Sequence, residues 1–230
     1  MKISFTGIEV PEGKVKYNDP MLIELEKKFS PKKVSPFFAE FAKDSWDKAE
    51  AIAIHADNLL DLLIVDIEKL ETRLERTEDE KEKAFIKKCL AHLEKSLPIC
   101  ELDFNAEEAA FLKLLSPVSG KPTYVCPDKA PVVNDLIKNV LDKAKHTFFY
   151  TAGKPEVHAW LVKKGSDIVT CAGKIHTDLA KGFIKADIVS FNDFKDVFNL
   201  QEARTKGLVK LVDRDYIIQE GDIIEIRFNV

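Results

Sequence analysis

The sequence predicts a mixed α/β protein that has a helical hairpin in its first half and a smaller domain of short strands after it. Two amphipathic segments between Leu59 and Leu97 predict the hairpin. β-branched and aromatic runs on both sides of it predict strands, and glycine-marked turns become frequent after residue 146. The predicted parts are residues 1–57 with 98–145, the hairpin 58–97, and a C-terminal domain 146–230.

The first part of the chain predicts strands around one short helix. KISFTGI is rich in strand-forming residues, and Asp19-Pro20 opens a helix in MLIELEKKF that stops at Ser30-Pro31. VSPFFAEFA predicts a second strand. AEAIAIHA is an apolar run too short to decide between a strand and the start of a helix.

The hairpin prediction depends on leucine and isoleucine at alternating spacings of four and three residues. Thr77-Glu78-Asp79-Glu80 separates the two runs and has the pattern of a capping box, which predicts a second helix starting there. Two such helices joined by a tight turn predict an antiparallel pair with a coiled-coil-like seam. The seam residues are Leu63, Ile67, Leu70, Leu74, Ile86, Leu90, Leu93 and Leu97.

The rest of the chain predicts further helices and then strands. Asn105 is placed to cap a helix that ends near Ser116-Pro117, KPTYVC predicts a strand, and PVVNDLIKNVLDKAK predicts a helix. Turns are expected at Gly153, Gly165 and Gly221. The strands predicted in the C-terminal domain are HTFFYTA, VHAWLVKK, KADIVSF, YIIQ and DIIEIRFNV.

Composition limits the class of protein. The net charge of −4 over 230 residues excludes a protein that coats polyanions through unbalanced Lys and Arg. No apolar run reaches the length of a membrane span, and the N-terminal residues lack a signal-peptide pattern. The cysteines occur singly, without metal-ligand spacing, as in a reduced protein. We therefore expect a cytoplasmic protein with no membrane partner.

No sequence motif indicates a catalytic centre. A phosphate-binding loop needs G-x-x-x-x-G-K-[ST], whereas Gly7 and Gly13-Lys14-Val15 are one residue too far apart and lack the hydroxyl. No nucleophile elbow, zinc-protease motif or catalytic carboxylate pair is present. We accordingly assign no catalytic residue, metal ligand or cofactor from the sequence.

One segment has the composition of a binding loop. In CAGKIHTDLAKGF the residues Lys174, His176, Thr177, Asp178 and Lys181 stand among glycines, and such a segment can present amides and cations to a phosphate or base. The simpler interpretation is that Thr177 and Asp178 cap a turn and that His176 packs beside it. Composition alone favours the simpler interpretation.

Three ordered motifs in the C-terminal domain resemble a known family. The runs at 147–165, 172–189 and 214–230 contain FFYTAG, AGKIHTD and EGDIIEIRFNV, and they are similar to the C-terminal TGS domain of the YchF/Obg-like ATPases. Glu220 replaces the aspartate usual in that family before Gly221. The resemblance implies a β-grasp, ubiquitin-like fold for residues 146–230.

Weaker similarity extends upstream and implies that the nucleotide-binding region is reduced. VNDLIKNVLDKAKHTFFYTAG resembles the helix that leads into the family's TGS domain, and the hairpin segments resemble the arms of its inserted coiled coil. The resemblance implies a reduced P-loop-NTPase-like α/β remnant carrying this hairpin. The family's P-loop, its D-x-A-G motif and its base-reading Asn have no counterpart, as AKDSWDKAEA and Cys126-Pro127-Asp128 illustrate. Phosphoryl transfer needs all three elements, so the expectation is a protein that is not an enzyme.

The predicted function is a non-catalytic binding adapter. Because TGS domains occur in proteins that contact RNA, the resemblance implies association with the ribosome or another structured RNA, with Lys174, His176, Thr177, Asp178 and Lys181 as the contact residues. Acidic and basic residues are equal in number over 147–230, so a local patch is required. Two alternatives stay open: a protein–protein module, including a homodimer, and residual binding of ATP or GTP.

Overall fold

The computed structural model describes residues 1–229 and divides the chain into two compact units. The first unit consists of residues 1–15 and 39–144, and the second consists of residues 16–38 together with the chain from residue 145 onwards. The sequence placed all of residues 1–57 in the α/β part. In the structure, residues 16–38 instead pack with the C-terminal segment, because strand pairing, ring stacking and a buried hydrogen bond hold them there.

Both strands and helices occur along the whole of the described chain. The strands are β1 (Lys2–Thr6), β2 (Gly13–Lys16), β3 (Lys33–Ser35), β4 (Phe38–Lys43), β5 (Ala51–His55), β6 (Thr123–Cys126), β7 (His146–Ala152), β8 (Glu156–Lys163), β9 (Phe183–Ser190), β10 (Lys210–Val212) and β11 (Asp222–Phe228). The α-helices are α1 (Pro20–Phe29), α2 (Leu59–Arg76), α3 (Glu80–Leu93), α4 (Ala106–Leu115), α5 (Val133–Lys143), α6 (Ile168–Ile175), α7 (Thr177–Lys181), α8 (Phe191–Phe194) and α9 (Leu200–Thr205).

A five-stranded sheet forms the centre of the first unit. Its strand order is β2-β4-β1-β5-β6, and the pairs β4–β1, β1–β5 and β5–β6 are all parallel. The run AIAIH, left undecided by the sequence, is the fully buried strand β5. Buried on both faces, a parallel strand is expected to be continuously apolar. The segment VSPFFAEFA does not form one strand, since Pro36 and Phe37 separate β3 from β4 and the two strands belong to different sheets.

The segment predicted as a hairpin contains helices α2 and α3, the second of which ends at Leu93. Helices α2 and α3 pack through Leu63, Leu70, Phe85, Ile86 and Cys89, and side chains from α4 complete this cluster. The cluster therefore contains three helices, not a free-standing pair.

The start of α3 differs from the predicted capping box. Asp79 is the N-cap, and its carboxylate accepts the amides of Lys81 and Glu82. The Thr77 hydroxyl instead donates to Glu82, which also forms a bidentate pair with Arg73. A carboxylate two residues further along the chain outcompetes Thr77 because it accepts two amide hydrogen bonds at once.

A six-stranded mixed sheet forms the second unit, in the order β10-β9-β11-β7-β8-β3. Strands β7 and β8 form an antiparallel hairpin, β11 lies parallel to β7, and β9 is antiparallel to both β11 and β10. The core of this unit lies between the sheet and α6, around Phe149, Ile168, Cys171 and Ala186. The predicted strand YIIQ is not one, because its Ile217 makes only an isolated bridge to Asp167.

Residues 16–38 join this sheet through buried contacts. Strand β3 pairs with β8 in parallel, and the ring of Tyr17 stacks on Phe148 with centroids 5.7 Å apart. The Tyr150 hydroxyl donates to Asp19 Oδ2 at 2.6 Å, while Asp19 Oδ1 accepts the Met21 amide and caps α1. Burial raises the pKa of the Asp19 carboxyl above its usual 3.8. A buried carboxylate needs such donors, so α1 is tied to β7.

Candidate functional site

The five residues predicted as a binding loop lie together where α6 meets α7 in the second unit. Lys174 belongs to the last turn of α6, and Thr177, Asp178 and Lys181 belong to α7. His176 is the C-cap of α6 and also the N-cap of α7. We call these five residues the α6–α7 corner.

The backbone of the α6–α7 corner is held in place by the core of the second unit. Helix α6 buries Ile168, Cys171 and Ala172 in the core of the unit, and Asp167 caps its start by accepting the Thr170 amide at 2.8 Å. Helix α7 packs beside α6 at Gly173, where an added Cβ would lie at ordinary contact distance, 3.4 Å, from the Ala180 Cβ. The polar side chains of the corner therefore project from fixed backbone.

His176 has a defined hydrogen-bonding state. Its Nδ1 accepts the Asp178 amide at 3.2 Å, so His176, and not Thr177, caps the turn that the simpler interpretation assigned to Thr177. With Nδ1 acting as acceptor, the proton of the neutral ring is on Nε2. The side chain is 63% exposed, and it therefore offers a donor to a ligand.

The two lysines of the corner have no anionic partner within the described part of the chain. Lys174 and Lys181 are both exposed, and within residues 1–229 neither has a carboxylate at ion-pair distance. Thr177 adds an exposed hydroxyl. Asp178 is the one carboxylate of the group, and its oxygen lies 3.4 Å from His176 Nδ1. The corner is thus a small surface with two uncompensated positive charges.

A second polar group, which the sequence did not single out, lies at the carboxyl edge of the parallel sheet in the first unit. Thr6 at the end of β1 donates to Asp44 Oδ1 at 2.8 Å and accepts from Trp46 Nε1 at 2.9 Å. Ligands of open α/β sheets bind at this edge. Thr6 is distant in sequence from Asp44 and Trp46, and the three match no motif, so only the parallel pairing of β1 with β4 brings them together.

The glycines of the rejected phosphate-loop pattern lie beside this edge. Gly7 follows β1 with a φ of 71°, and a Cβ there would lie 1.9 Å from Asn58 Oδ1. Gly13 begins β2, so the chain after β1 continues into a strand. A P-loop leads into a helix, and the segment 7–13 does not have that geometry.

Other reactive groups are held in the interior. Burial raises the pKa of the Cys89 and Cys171 thiols to about 12, so both stay protonated and unreactive. No group of three or more metal-ligating side chains occurs within residues 1–229. Over the same residues, no helix is both long and apolar enough to cross a bilayer.

Comparison with known proteins identifies the C-terminal part of the chain. Residues 147–229 match the family model YchF-GTPase_C, which is described as a protein of unknown function (DUF933). This segment is therefore similar to the C-terminal domain of YchF proteins. The match covers strands β7 to β11 and the α6–α7 corner, so the corner lies inside the matched segment.

Curated relatives extend the match. The chain is 45% identical over 82 residues to the "Ribosome-binding ATPase YchF" of Mycoplasma genitalium, which is 36% of this chain and 22% of the relative. It is 41% identical over 98 residues to the "Obg-like ATPase 1" of Danio rerio, which is 43% of this chain and 25% of the relative. It is 43% identical over 98 residues to the YchF protein of Bacillus subtilis, which is 43% of this chain and 27% of the relative. The chain thus spans about a quarter of the length of these YchF relatives.

A solved structure matches the whole fold. The Schizosaccharomyces pombe YchF GTPase aligns with a TM-score of 0.80 over 99% of this chain and 97% of that chain, at 17% identity. At this identity the likeness shows the fold alone. The alignment includes the first unit, whose residues show only weak sequence similarity to YchF proteins.

The expectation that the protein is not an enzyme was wrong. The relatives are named ATPases, and the structural match is a YchF GTPase, so the comparisons point to an NTPase family. The sequence argument depended on missing signature residues. Signature residues are a small part of a chain, so their absence did not exclude similarity to an NTPase family.

Proposed function

We propose that the C-terminal unit is a TGS domain of β-grasp fold that binds the ribosome or another structured RNA through the α6–α7 corner. The hairpin β7–β8, the helix α6 that follows it and the final strand β11 lying parallel to β7 support the β-grasp assignment. The ribosome-binding names of the Mycoplasma genitalium and Bacillus subtilis relatives support the choice of partner.

The single observation that carries the proposal is the pair of uncompensated lysines. Lys174 and Lys181 lie on either side of the exposed His176 in sequence, and no carboxylate of residues 1–229 neutralises either ammonium group. Phosphate oxygens are the partners that two such cations prefer, and binding releases the counterions of the RNA. His176 and Thr177 add donors for phosphate or 2′-hydroxyl oxygens.

Charge reversal at the corner tests this function. We expect K174E/K181E to weaken binding to purified ribosomes and to a fluorescent ribosomal RNA fragment. The slope of log affinity against log salt should become shallower by about 1.4 to 1.8, because each lost phosphate contact removes about 0.7 to 0.9. Cosedimentation measures ribosome binding, and fluorescence anisotropy at several salt concentrations measures the slope.

A matched control separates a local site from overall charge. K138E/K163E makes the same change in net charge at two exposed lysines, one on α5 and one on β8, that are away from the corner in sequence. We expect this variant to bind as the wild type does. Equal weakening by both double variants, or no weakening by K174E/K181E, would contradict the proposal.

A second candidate function, binding of ATP or GTP by the first unit, is favoured by the polar carboxyl edge of its parallel sheet. The names of the relatives and the YchF GTPase fold support this candidate. We expect ATP or GTP with Mg²⁺ to raise the melting temperature, since ligand at 100 times Kd stabilises by about 2.7 kcal/mol. Differential scanning fluorimetry measures the shift, with ribose 5-phosphate as the control. An unchanged melting temperature at millimolar nucleotide would exclude this site.

A further inference from the structure

Helix α2 exposes an apolar stripe that no element of residues 1–229 covers. Leu60, Ile64 and Val65 are 55%, 49% and 41% exposed, although α2 already buries Leu62, Leu63 and Leu70 on its opposite side. At roughly 100° per residue, the three exposed side chains fall within an arc of about 140°. We call this arc the open face of α2.

The charge on the open face has one sign. Of the five carboxylates of α2, Asp66 is fully buried and accepts the amides of Val118 and Ser119. The other four share the open face with the apolar residues, all four are exposed, and none has a cation at ion-pair distance within residues 1–229. They are Asp61, Glu68, Glu71 and Glu75.

The cations of α2 lie on another side of the helix. Lys69, Arg73 and Arg76 line a groove against the end of α4. Lys69 donates to the Ser116 carbonyl at 3.1 Å, and Arg73 pairs with Glu82 at 2.7 Å. The helix thus separates its charges, so the carboxylates of the open face are not neutralised from within α2.

We propose that the open face of α2 binds a lysine- and arginine-rich amphipathic helix of another protein. Leu60, Ile64 and Val65 supply an apolar contact, and the four carboxylates supply partners for cations at helical spacing. From Leu60 to Glu75 the face is about 22 Å long, which matches a partner helix of roughly four turns.

The charge of the face excludes two other occupants. RNA would bring phosphates against four carboxylates, and like charges at short range cost affinity. A second copy of the chain, packed through the same face, would place this acidic arc against itself. The proposal concerns the first unit and does not depend on RNA binding by the α6–α7 corner.

A designed peptide tests the proposal with the full chain. The probe is a fluorescein-labelled 18-residue peptide of leucine and lysine whose leucines follow a helical period, and its control is a peptide of the same composition in scrambled order. We expect the patterned peptide to bind with micromolar Kd in fluorescence anisotropy and the scrambled one at least tenfold more weakly. Equal binding of both would show attraction by net charge alone and overturn the proposal, as would no binding of either.

Two variants locate the binding. E68K/E71K should lower the affinity for the patterned peptide by about tenfold. The control E78K/E94K reverses two exposed carboxylates outside α2 and should leave that affinity unchanged. L60S/I64S should also weaken it by about tenfold at 0.5 M salt, where charge contributes least. Unchanged affinity in E68K/E71K or in L60S/I64S would overturn the proposal. Self-association of the wild type that L60S/I64S abolishes would assign the face to a second copy and overturn it as well.

Discussion

Replacing Asp66 with alanine is expected to destabilise the first unit by about 3 kcal/mol, because two buried amides lose their acceptor. Asp66 is fully buried, and its two oxygens accept the Val118 amide at 2.6 Å and the Ser119 amide at 2.7 Å. Those residues begin a short 3-10 turn that is itself buried. The Asp66 carboxylate therefore joins α2 to this turn through two hydrogen bonds.

Chemical denaturation measures the effect, with Trp46 as the reporter in a Trp160→Phe background so that only the first unit is observed. Asp66→Asn keeps one acceptor oxygen, so its loss in free energy of unfolding should be about half that of Asp66→Ala. Asp61→Ala removes an exposed carboxylate from the same helix and should change stability by less than about 0.5 kcal/mol. A loss below about 1 kcal/mol in Asp66→Ala would contradict the role assigned to this carboxylate.

Replacing Asp187 with alanine is expected to destabilise the second unit by about 3 kcal/mol. Asp187 lies on β9 with its side chain 3% exposed. It accepts two hydrogen bonds from Arg227, both at 2.9 Å, and one from Arg204 of α9 at 2.8 Å. The variant leaves two guanidinium groups without this partner, and it releases one of the contacts that hold α9 against the sheet.

Glu225→Ala provides the matched control, since Glu225 binds the same Arg204 but is 52% exposed. An exposed ion pair contributes little, so its loss should cost less than about 1 kcal/mol. Trp160 fluorescence in a Trp46→Phe background reports on the second unit. If the Asp187 and Glu225 variants lost the same stability, burial of Asp187 would not be the cause.

Local signals allowed most helices to be predicted from the sequence. Asp19 before Pro20 marks α1, and Asn105 with Glu108 forms the capping box of α4. These signals act within four residues, so they do not depend on the rest of the fold. The strand predicted at YIIQ was wrong because Asp222 accepts the Gln219 amide and the Tyr216 hydroxyl, and these hydrogen bonds hold the segment in a turn.

Contacts between distant residues were beyond sequence reasoning. Nothing in residues 16–38 indicates that Tyr17 stacks on Phe148 or that Asp19 binds Tyr150, because neither pair forms a local pattern. The α6–α7 corner could be found because its residues are contiguous. Thr6, Asp44 and Trp46 at the sheet edge could not, since Thr6 comes from a segment far in sequence from Asp44 and Trp46.

The position of residues 16–38 also determines when each unit can fold during synthesis. Most of the first unit is encoded between the two segments that build the second unit. A nascent chain therefore completes the first unit while residues 16–38 still lack strands β7 and β8. Their apolar side chains, Leu22 and Leu25 of α1 among them, remain without their partners until residue 163 has been translated. A fragment that begins at residue 146 would lack α1 and β3. The edge of β8 that pairs with β3 in the full chain would then be free to pair with other chains.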